Sequence, residues 1–251
     1  MAKKILGLIG HPLTHSFSQK YFREKFLKEN INDYEYLNFD IANIDALPVL
    51  LDTYPEIIGL NVTIPYKEKV LKYADFLSDE VLETGAANTL FINKNKKIAA
   101  YNTDIYGFTE SLKPLLKPHH KKALILGTGG AAKAVAYALT RLQISFLLVS
   151  RSPKNNRQIS YQDLSRDLIK DYTLIINTTP LGTFPHTGQF PSFPYDFVSS
   201  RHLFYDLVYN PPQSLFLQFA SKKGATISNG LNMLHLQAEA AWQIWQSKSR
   251  W

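Results

Sequence analysis

Within this 251-residue chain the stretch Leu124-Ile125-Leu126-Gly127-Thr128-Gly129-Gly130-Ala131-Ala132-Lys133-Ala134-Val135 has the residue types and spacing most suggestive of chemistry. A short apolar run gives way to a glycine-rich turn and then to a helical pattern, in the order G-x-G-x-x-A. Gly127 permits a tight turn, Gly129 lets backbone approach a pyrophosphate, and small Ala132 lets the helix pack closely on the strand while its N-terminus faces the phosphates. The glycine spacing alone fits a ligand-free strand-to-helix turn as well. A second strand, Ile144 to Val149, ends near the distance at which such a fingerprint places its ribose contact. There the chain reads Ser150-Arg151-Ser152-Pro153-Lys154-Asn155, with no acid to accept a ribose hydroxyl. Arg151 offers a planar donor face for a 2′-phosphate, and Ser152 and Lys154 add donors, so the pattern favours NADP(H) over NAD(H). The plain alternative is a solvated arginine after a strand.

Four further groups of polar residues stand in the first half. In Gly10-His11-Pro12-Leu13-Thr14-His15-Ser16-Phe17-Ser18 the hydroxyls of Ser16 and Ser18 stand at i and i+2 where a strand gives way to a helix, a placement that suits one anion or simple helix capping. Asn61-Val62-Thr63-Ile64-Pro65-Tyr66-Lys67 follows a strand, and Gly85-Ala86-Ala87-Asn88-Thr89-Leu90 and Tyr101-Asn102-Thr103-Asp104-Ile105-Tyr106-Gly107-Phe108 come after it. Taken alone, Lys67 in Tyr66-Lys67-Glu68-Lys69 is an ordinary solvated lysine, and Asp104 is an N-cap for a helix starting near Ile105. His15 invites a general-base role, but the sequence supplies no partner for it.

The elements that must carry these residues alternate. Ile5 to Ile9, a helix from about Ser18 to Glu29, Tyr34 to Phe39, a helix near Asn43 to Leu51, and Ile57 to Val62 form one series. Prolines and histidines in Leu112 to His120 interrupt it. A second series runs Ala123 to Leu126, a helix Ala131 to Leu142, Ser145 to Val149, Leu174 to Asn177 and His202 to Leu207, and a helix from Leu231 to Trp245 ends the chain. Such alternation argues an α/β fold whose second unit is doubly wound.

Composition bounds the rest. Lys and Arg number 28 against 21 Asp and Glu, a formal charge of +7, but the positive residues are scattered and no nucleic-acid motif accompanies them. A small anionic substrate and a phosphate-bearing cofactor profit equally from that balance. The absence of cysteine excludes disulfides, thiolate catalysis and cysteine metal sites, and fits a cytoplasmic setting. Met1 to Gly10 resembles a leader, but its apolar run of about five residues leads into His11-Pro12 and is better read as a first strand. No stretch approaches the roughly 18 apolar residues of a membrane helix. No metal is expected.

In order, G-x-P-x-x-H-S-x-S, N-V-T-x-P-x-K, G-A-x-N-T and N-T-D-x-x-G-F, followed by the dinucleotide motif, resemble the shikimate dehydrogenase family over essentially the full chain. The resemblance implies two α/β domains with the active site in the cleft between them. A substrate domain would comprise residues 1–104 plus 231–251 and a Rossmann-type NADP domain residues 105–230. It implies NADPH-dependent reduction of 3-dehydroshikimate to shikimate, with Lys67 and Asp104 catalytic. Ser16, Ser18, Thr63, Asn88, Asp104, Tyr209 and Gln237 would bind substrate. The cofactor would contact Gly127, Thr128, Gly129, Gly130, Ala131, Arg151, Ser152, Lys154, Thr178, Leu207 and Gly230. The motifs Asn177-Thr178-Thr179-Pro180-Leu181-Gly182 and Asp206-Leu207-Val208-Tyr209-Asn210-Pro211 resemble the family's cofactor-side loops. Departures are His11 where Asn is common, Gln19 for a usual Pro, Ser150 for the Asn of N-R-T, and Thr183 and Asn232 where Met and Gly are frequent. The rival readings are a quinate/shikimate dehydrogenase using NAD and a non-catalytic NADP(H) sensor. Oligomeric state, monomer or homodimer, is written in no motif.

Overall fold

The structure is a computed structural model that describes residues 3–13 and 17–247. Ser16 and His15 lie outside the described residues. The chain divides into two units, one formed by Met1–Thr103 with Ala238–Trp251 and the other by Asp104–Gln237.

In the first unit β1 (Lys4–Gly10), α1 (Phe17–Lys28), β2 (Tyr34–Asp40), α2 (Leu47–Thr53) and β3 (Ile57–Val62) follow the alternation expected from the sequence. The chain continues through β4 (Phe76–Leu77), α3 (Asp79–Thr84), β5 (Thr89–Ile92) and β6 (Ile98–Tyr101). These strands form one sheet in the order β2-β1-β3-β5-β6-β4, in which β5 pairs antiparallel with both neighbours and the other pairings are parallel. Successive side chains of a strand point to opposite faces. Leu6 and Leu8 accordingly join a core with Phe22 and Phe26 of α1, whereas Ile9 joins Leu47 and Leu51 of α2 on the other face.

The first of these cores takes its shape from one missing side chain. Gly59 of β3 leaves room for the indole of Trp245, which is 2 % exposed and donates from Nε1 to the Leu90 carbonyl at 2.9 Å. A Cβ at Gly59 would overlap that indole.

The helix α4 (Thr103–Leu112) leads into the second unit. It is followed by β7 (Lys122–Leu126), α5 (Gly130–Arg141), β8 (Ser145–Val149), β9 (Gln158–Ile159), α6 (Arg166–Asp171), β10 (Leu174–Asn177), β11 (Leu203–Asp206), α7 (Leu215–Lys222) and β12 (Thr226–Ser228). The last helix, α8 (Leu231–Gln246), starts in this unit and ends in the first. All pairings of the second sheet are parallel, in the order β12-β11-β10-β7-β8-β9. That is the doubly wound order, and it reverses between β7 and β10. One face packs on α4, α5 and the start of α8, the other on α6 and α7. Alanines 132, 134 and 138 make α5's buried stripe narrow enough to lie close against the strands.

Replacement of Gly59 by Ala forces Trp245 or β3 to shift, an overpacking expected to cost about 1 to 3 kcal/mol. Urea unfolding of Gly59→Ala checks this, and an unchanged midpoint would show that the indole has room to move.

Candidate functional site

In an open parallel sheet ligands lie beyond the carboxyl ends of the strands, where the strand order reverses. The expected cofactor residues of the second unit lie at that edge. Gly127, Thr128, Gly129, Gly130 and Ala131 turn the chain from β7 into α5, Thr178 follows β10, Leu207 follows β11, Gly230 precedes α8, and Arg151, Ser152 and Lys154 follow β8. Gly127 has a φ of 114°, and a Cβ there would come within 2.7 Å of Thr178 Oγ1. Thr178 itself donates to the Leu126 carbonyl from both its amide (3.0 Å) and its hydroxyl (2.7 Å), so the two loops at the switch point are joined. A Cβ on Gly230 would overlap the Leu207 backbone, which brings these two expected contacts together.

Beside Gly129 and Gly130 the space is open, with nothing within 4 Å of an added Cβ. Gly129 also gives the 12-residue helix α5 no side-chain cap. Unpaired N–H groups with clearance around them are what a pyrophosphate requires. At the end of β8 the Ser150 hydroxyl accepts from Ser152 N at 3.1 Å and so shapes the turn that exposes Arg151 and Lys154. The residues present therefore fit a dinucleotide carrying an extra phosphate.

Beneath these loops lies a polar group to which the sequence reading gave no role. Asp206 is fully buried at the end of β11. Its carboxylate accepts from Asn177 Nδ2 at 2.9 Å, from Val208 N at 3.0 Å and from the Ser214 hydroxyl that caps α7. Asn177 Oδ1 in turn accepts from the Thr179 amide (3.0 Å) and hydroxyl (2.7 Å). Burial pushes the Asp206 carboxyl up to about 6, against which the bonds from Ser214, Val208 and Asn177 act. Tyr209, next in the chain after Val208, is half-buried, and burial raises its hydroxyl pKa.

In the first unit the expected substrate residues gather at the carboxyl edge of β1 and β3. Thr63 N donates to the Ile9 carbonyl at 3.0 Å, Val62 N to the Asn88 carbonyl at 2.8 Å, and Ala87 N to the Lys67 carbonyl at 2.8 Å. Tyr66 is buried and its hydroxyl reaches the Ile41 carbonyl at 2.5 Å, which anchors the turn and holds neighbouring Lys67 half-buried rather than solvated. Asn88 is 3 % exposed, with Oδ1 accepting from Thr103 N at 2.7 Å and Nδ2 donating to Thr103 Oγ1 at 3.0 Å. Ser18 lies in the first turn of α1. Just after β1, His11 and Leu13 are held by Asp40, which accepts from Leu13 N at 2.9 Å and pairs with His11 Nδ1 at 2.6 Å. These contacts, the Leu13 amide first, hold the Asp40 carboxyl below the usual carboxylate range. His11, a departure from the family pattern, thus has a partner.

The reading of Asp104 as a helix cap is corrected. The helix starts at Thr103, two residues earlier than expected, so Asp104 sits inside the first turn, where the helix dipole favours an acid. Gln237 is 6 % exposed, with Nε2 donating to the Leu234 carbonyl at 2.9 Å. Gly107, one turn after Asp104, brings α4 against α8 at Gln237, where a Cβ would meet the Met233 carbonyl at 2.5 Å and Gln237 Cβ at 3.0 Å. Among the described residues no group of three or more His, Asp or Glu side chains is placed to hold a metal ion.

Residues 8–90 match the family model described as the shikimate dehydrogenase substrate binding domain. A protein of Caldanaerobacter subterraneus subsp. tengcongensis named shikimate dehydrogenase (NADP(+)) is 35% identical over 263 residues, covering 96% of this chain and 91% of its own length. Shikimate 5-dehydrogenase from Thermus thermophilus, solved in complex with NADP(H) and shikimate, superposes with a TM-score of 0.82 at 29% identity, covering 99% of this chain and 94% of that one. Quinate dehydrogenase from Corynebacterium glutamicum, solved in complex with NAD, gives 0.86 at 26% identity, with 99% and 95% covered.

The elevated carboxyl of Asp206 generates a pH dependence of stability. An unfolded Asp titrates near 3.9, so the folded chain binds this proton more tightly. The resulting contribution is complete below the unfolded value and is lost as pH rises through about 6. Between pH 7.5 and pH 5 the wild type should gain about 1 kcal/mol relative to Asp206→Asn, which cannot titrate. Urea unfolding of both proteins at the two pH values measures the difference, and parallel behaviour would refute the assignment.

Proposed function

The chain belongs to the shikimate dehydrogenase family, and from that premise we propose that it reduces 3-dehydroshikimate to shikimate with NADPH, reversibly, in the shikimate pathway that supplies chorismate and the aromatic amino acids. The observation that carries the cofactor choice is the end of β8, where Arg151, Ser152 and Lys154 stand on an exposed turn with no carboxylate among residues 150–155. A guanidinium fits a 2′-phosphate, whereas an NAD site uses an acid against the ribose hydroxyls. We assign residues 1–104 with 231–251 to substrate binding and 105–230 to NADP(H). We further read the protein as cytoplasmic, monomeric or homodimeric, on the strength of an NADPH-linked biosynthetic reaction. No helix among the described residues is long and apolar enough to cross a membrane.

The roles of individual side chains follow from their chemistry. Bound NADPH supplies the hydride to the carbonyl carbon. Lys67 donates a proton to the carbonyl oxygen and stabilises the charge that develops there, so that one C–H and one O–H bond form as the C=O bond is reduced. Asp104 orients Lys67 and accepts from a ring hydroxyl. Ser16 and Ser18 donate to the substrate carboxylate, and Thr63, Asn88, Tyr209 and Gln237 bind the ring and its hydroxyls. Gly127, Thr128, Gly129, Gly130 and Ala131 receive the pyrophosphate, Arg151, Ser152 and Lys154 the 2′-phosphate, and Thr178, Leu207 and Gly230 the nicotinamide half. The likeness to an NAD-bound quinate dehydrogenase supports a second reading, a broader quinate/shikimate dehydrogenase. One ring hydroxyl more or less is a modest change for a site of this kind to accommodate.

The deciding assay follows nicotinamide absorbance with 3-dehydroshikimate and NADPH or NADH, and with quinate and NAD. NADPH-dependent turnover of 3-dehydroshikimate is expected, quinate oxidation with NAD would establish the second reading, and nucleotide binding without turnover would indicate a sensor. Loss of the Lys67 ammonium should act chiefly in the transition state. Lys67→Ala is expected to lower kcat by about 10²- to 10⁴-fold with the KM for 3-dehydroshikimate changed only a few-fold. Normal kcat with a raised KM would remove Lys67 from the chemistry.

A further inference from the structure

The proposed substrate residues of the first unit are tied together by a side chain that belongs to none of the motifs. Tyr36, in the middle of β2, is 5 % exposed, and its ring stacks on Phe22 of α1 with centroids 4.7 Å apart. The Tyr36 hydroxyl donates to Asn61 Oδ1 at 2.8 Å, while the Ser18 hydroxyl on α1 lies beside it and opposes the rise that burial gives its pKa. Asn61 extends the array, its Nδ2 donating to the Asn88 carbonyl and to Thr89 Oγ1, each at 3.3 Å. Thr89 Oγ1 donates to Asn88 Oδ1 at 3.1 Å, and the same oxygen receives Thr103 N, the residue before Asp104. A continuous polar line therefore runs from α1 through β2, β3 and β5 to the start of α4. Apolar residues of the same core surround its Tyr36 end, among them Leu6, Leu8, Phe22 and Trp245.

We propose that Tyr36 is a positioning residue of the substrate site, acting through Ser18 on one side and through Asn61 on Asn88 and Thr103 on the other. This rests on the reading of Ser18 and Asn88 as substrate-binding groups. In an apolar layer a phenol hydroxyl cannot exchange a lost partner for water, so it holds both neighbours to one geometry. Its proton is retained, because burial raises its pKa. A hydroxyl carries one proton and accepts twice. With that proton given to Asn61 Oδ1, Tyr36 meets Ser18 only as an acceptor, and a carboxylate that takes the Ser18 proton in a hydrogen bond leaves the Tyr36–Asn61 bond in place. Spacing between the carboxylate-binding hydroxyl and the amide of Asn88 is thereby set before substrate arrives, which lowers the cost of ordering them on binding.

The test is Tyr36→Phe, which keeps the ring stacked on Phe22 and deletes only the oxygen. With NADPH and 3-dehydroshikimate, the KM for 3-dehydroshikimate is expected to rise about tenfold, the size of one lost buried hydrogen bond. Turnover should fall less than about threefold and NADPH affinity, read by nucleotide fluorescence, should not change. In a Ser18→Ala background the same substitution should have a smaller effect on KM, because the two side chains act at one contact. An unchanged KM, a loss of kcat that only tracks lost folded protein, or full additivity with Ser18→Ala would overturn the proposal. Asn61→Asp is the second variant: it keeps the acceptor for Tyr36 and removes the donor to Asn88 and Thr89. The KM should rise here too with kcat kept, and an unchanged KM would count equally against the idea. A wild type that turns over no 3-dehydroshikimate with either nucleotide defeats the underlying function, whereas wild-type turnover with an unaffected Tyr36→Phe defeats this inference alone.

Discussion

Strands that run in parallel end their hydrogen-bond ladders at one edge, and the backbone that leaves that edge carries N–H and carbonyl groups which the ladder no longer serves. Left unpaired in a buried position each costs about 1 to 3 kcal/mol. Both units meet this requirement with short polar side chains placed at strand ends. Asn177 and Asp206 close β10 and β11 in the second unit, with Ser214 reaching in from the α7 cap. In the first unit Asn61 ends the pairing of β3 with β5 and Asn88 precedes β5, with Thr103 completing the group at α4. The loops above these groups are consequently fixed from inside the protein and not by their own contacts with solvent. That is why residues as far apart in sequence as Thr63 and Asn88, or Gly127 and Thr178, arrive together.

How much of this can be read without coordinates depends on whether a residue's requirement is local. β3, β8 and β10 occupy the spans that their apolar runs indicate, because a run bounded by turn residues defines its own ends. The antiparallel excursion β5–β6 is not visible in this way. Each of its strands has four residues, and the connecting Asn93-Lys94-Asn95-Lys96-Lys97 looks like any solvated charge run until Asn93 Oδ1 is seen accepting from the amides of Asn95 and Lys97. Tyr36 lies in Tyr34-Glu35-Tyr36-Leu37-Asn38-Phe39, where alternation accounts for its ring and says nothing of its hydroxyl. Asp206 stands in a recognised motif, yet its job depends on being buried among three donors, a tertiary fact. Asp104 shows the reverse limit, since a helix boundary misplaced by two residues changed a cap into a first-turn acid.

The turn after β8 shows how a departure from a family pattern can leave local geometry intact. Where Asn is usual, Ser150 keeps an oxygen in position to accept the amide two residues ahead, the same local bond that an Asn side chain makes. The backbone that presents Arg151 and Ser152 is thereby retained with a smaller side chain. What Ser150 lacks is the amide N–H₂, so the turn has one donor fewer and its remaining side-chain donors are Arg151, Ser152 and Lys154. Arg151 is the better placed in chemistry if not in number, because its planar fork matches two phosphate oxygens at once whereas the lysine is a point charge on a flexible stem.

Glycines of the second unit can be sorted by asking who requires them. At Gly127 the requirement is internal: a φ of 114° disfavours any side chain, and Thr178 fills the place where a Cβ would go. Gly230 is likewise required by the protein, through the Leu207 backbone. Gly129 and Gly130 satisfy neither condition. Gly129 has an ordinary extended backbone, and beside both residues the protein leaves open space. A side chain at either position would disturb nothing in the fold, and at the uncapped start of a helix a serine or an aspartate would even stabilise it. Glycine at these positions therefore makes sense only in relation to something outside the chain that needs the helix N–H groups bare and approachable. A phosphate is such a partner, and the two unneeded glycines argue for one more strongly than the required glycine that announces the motif.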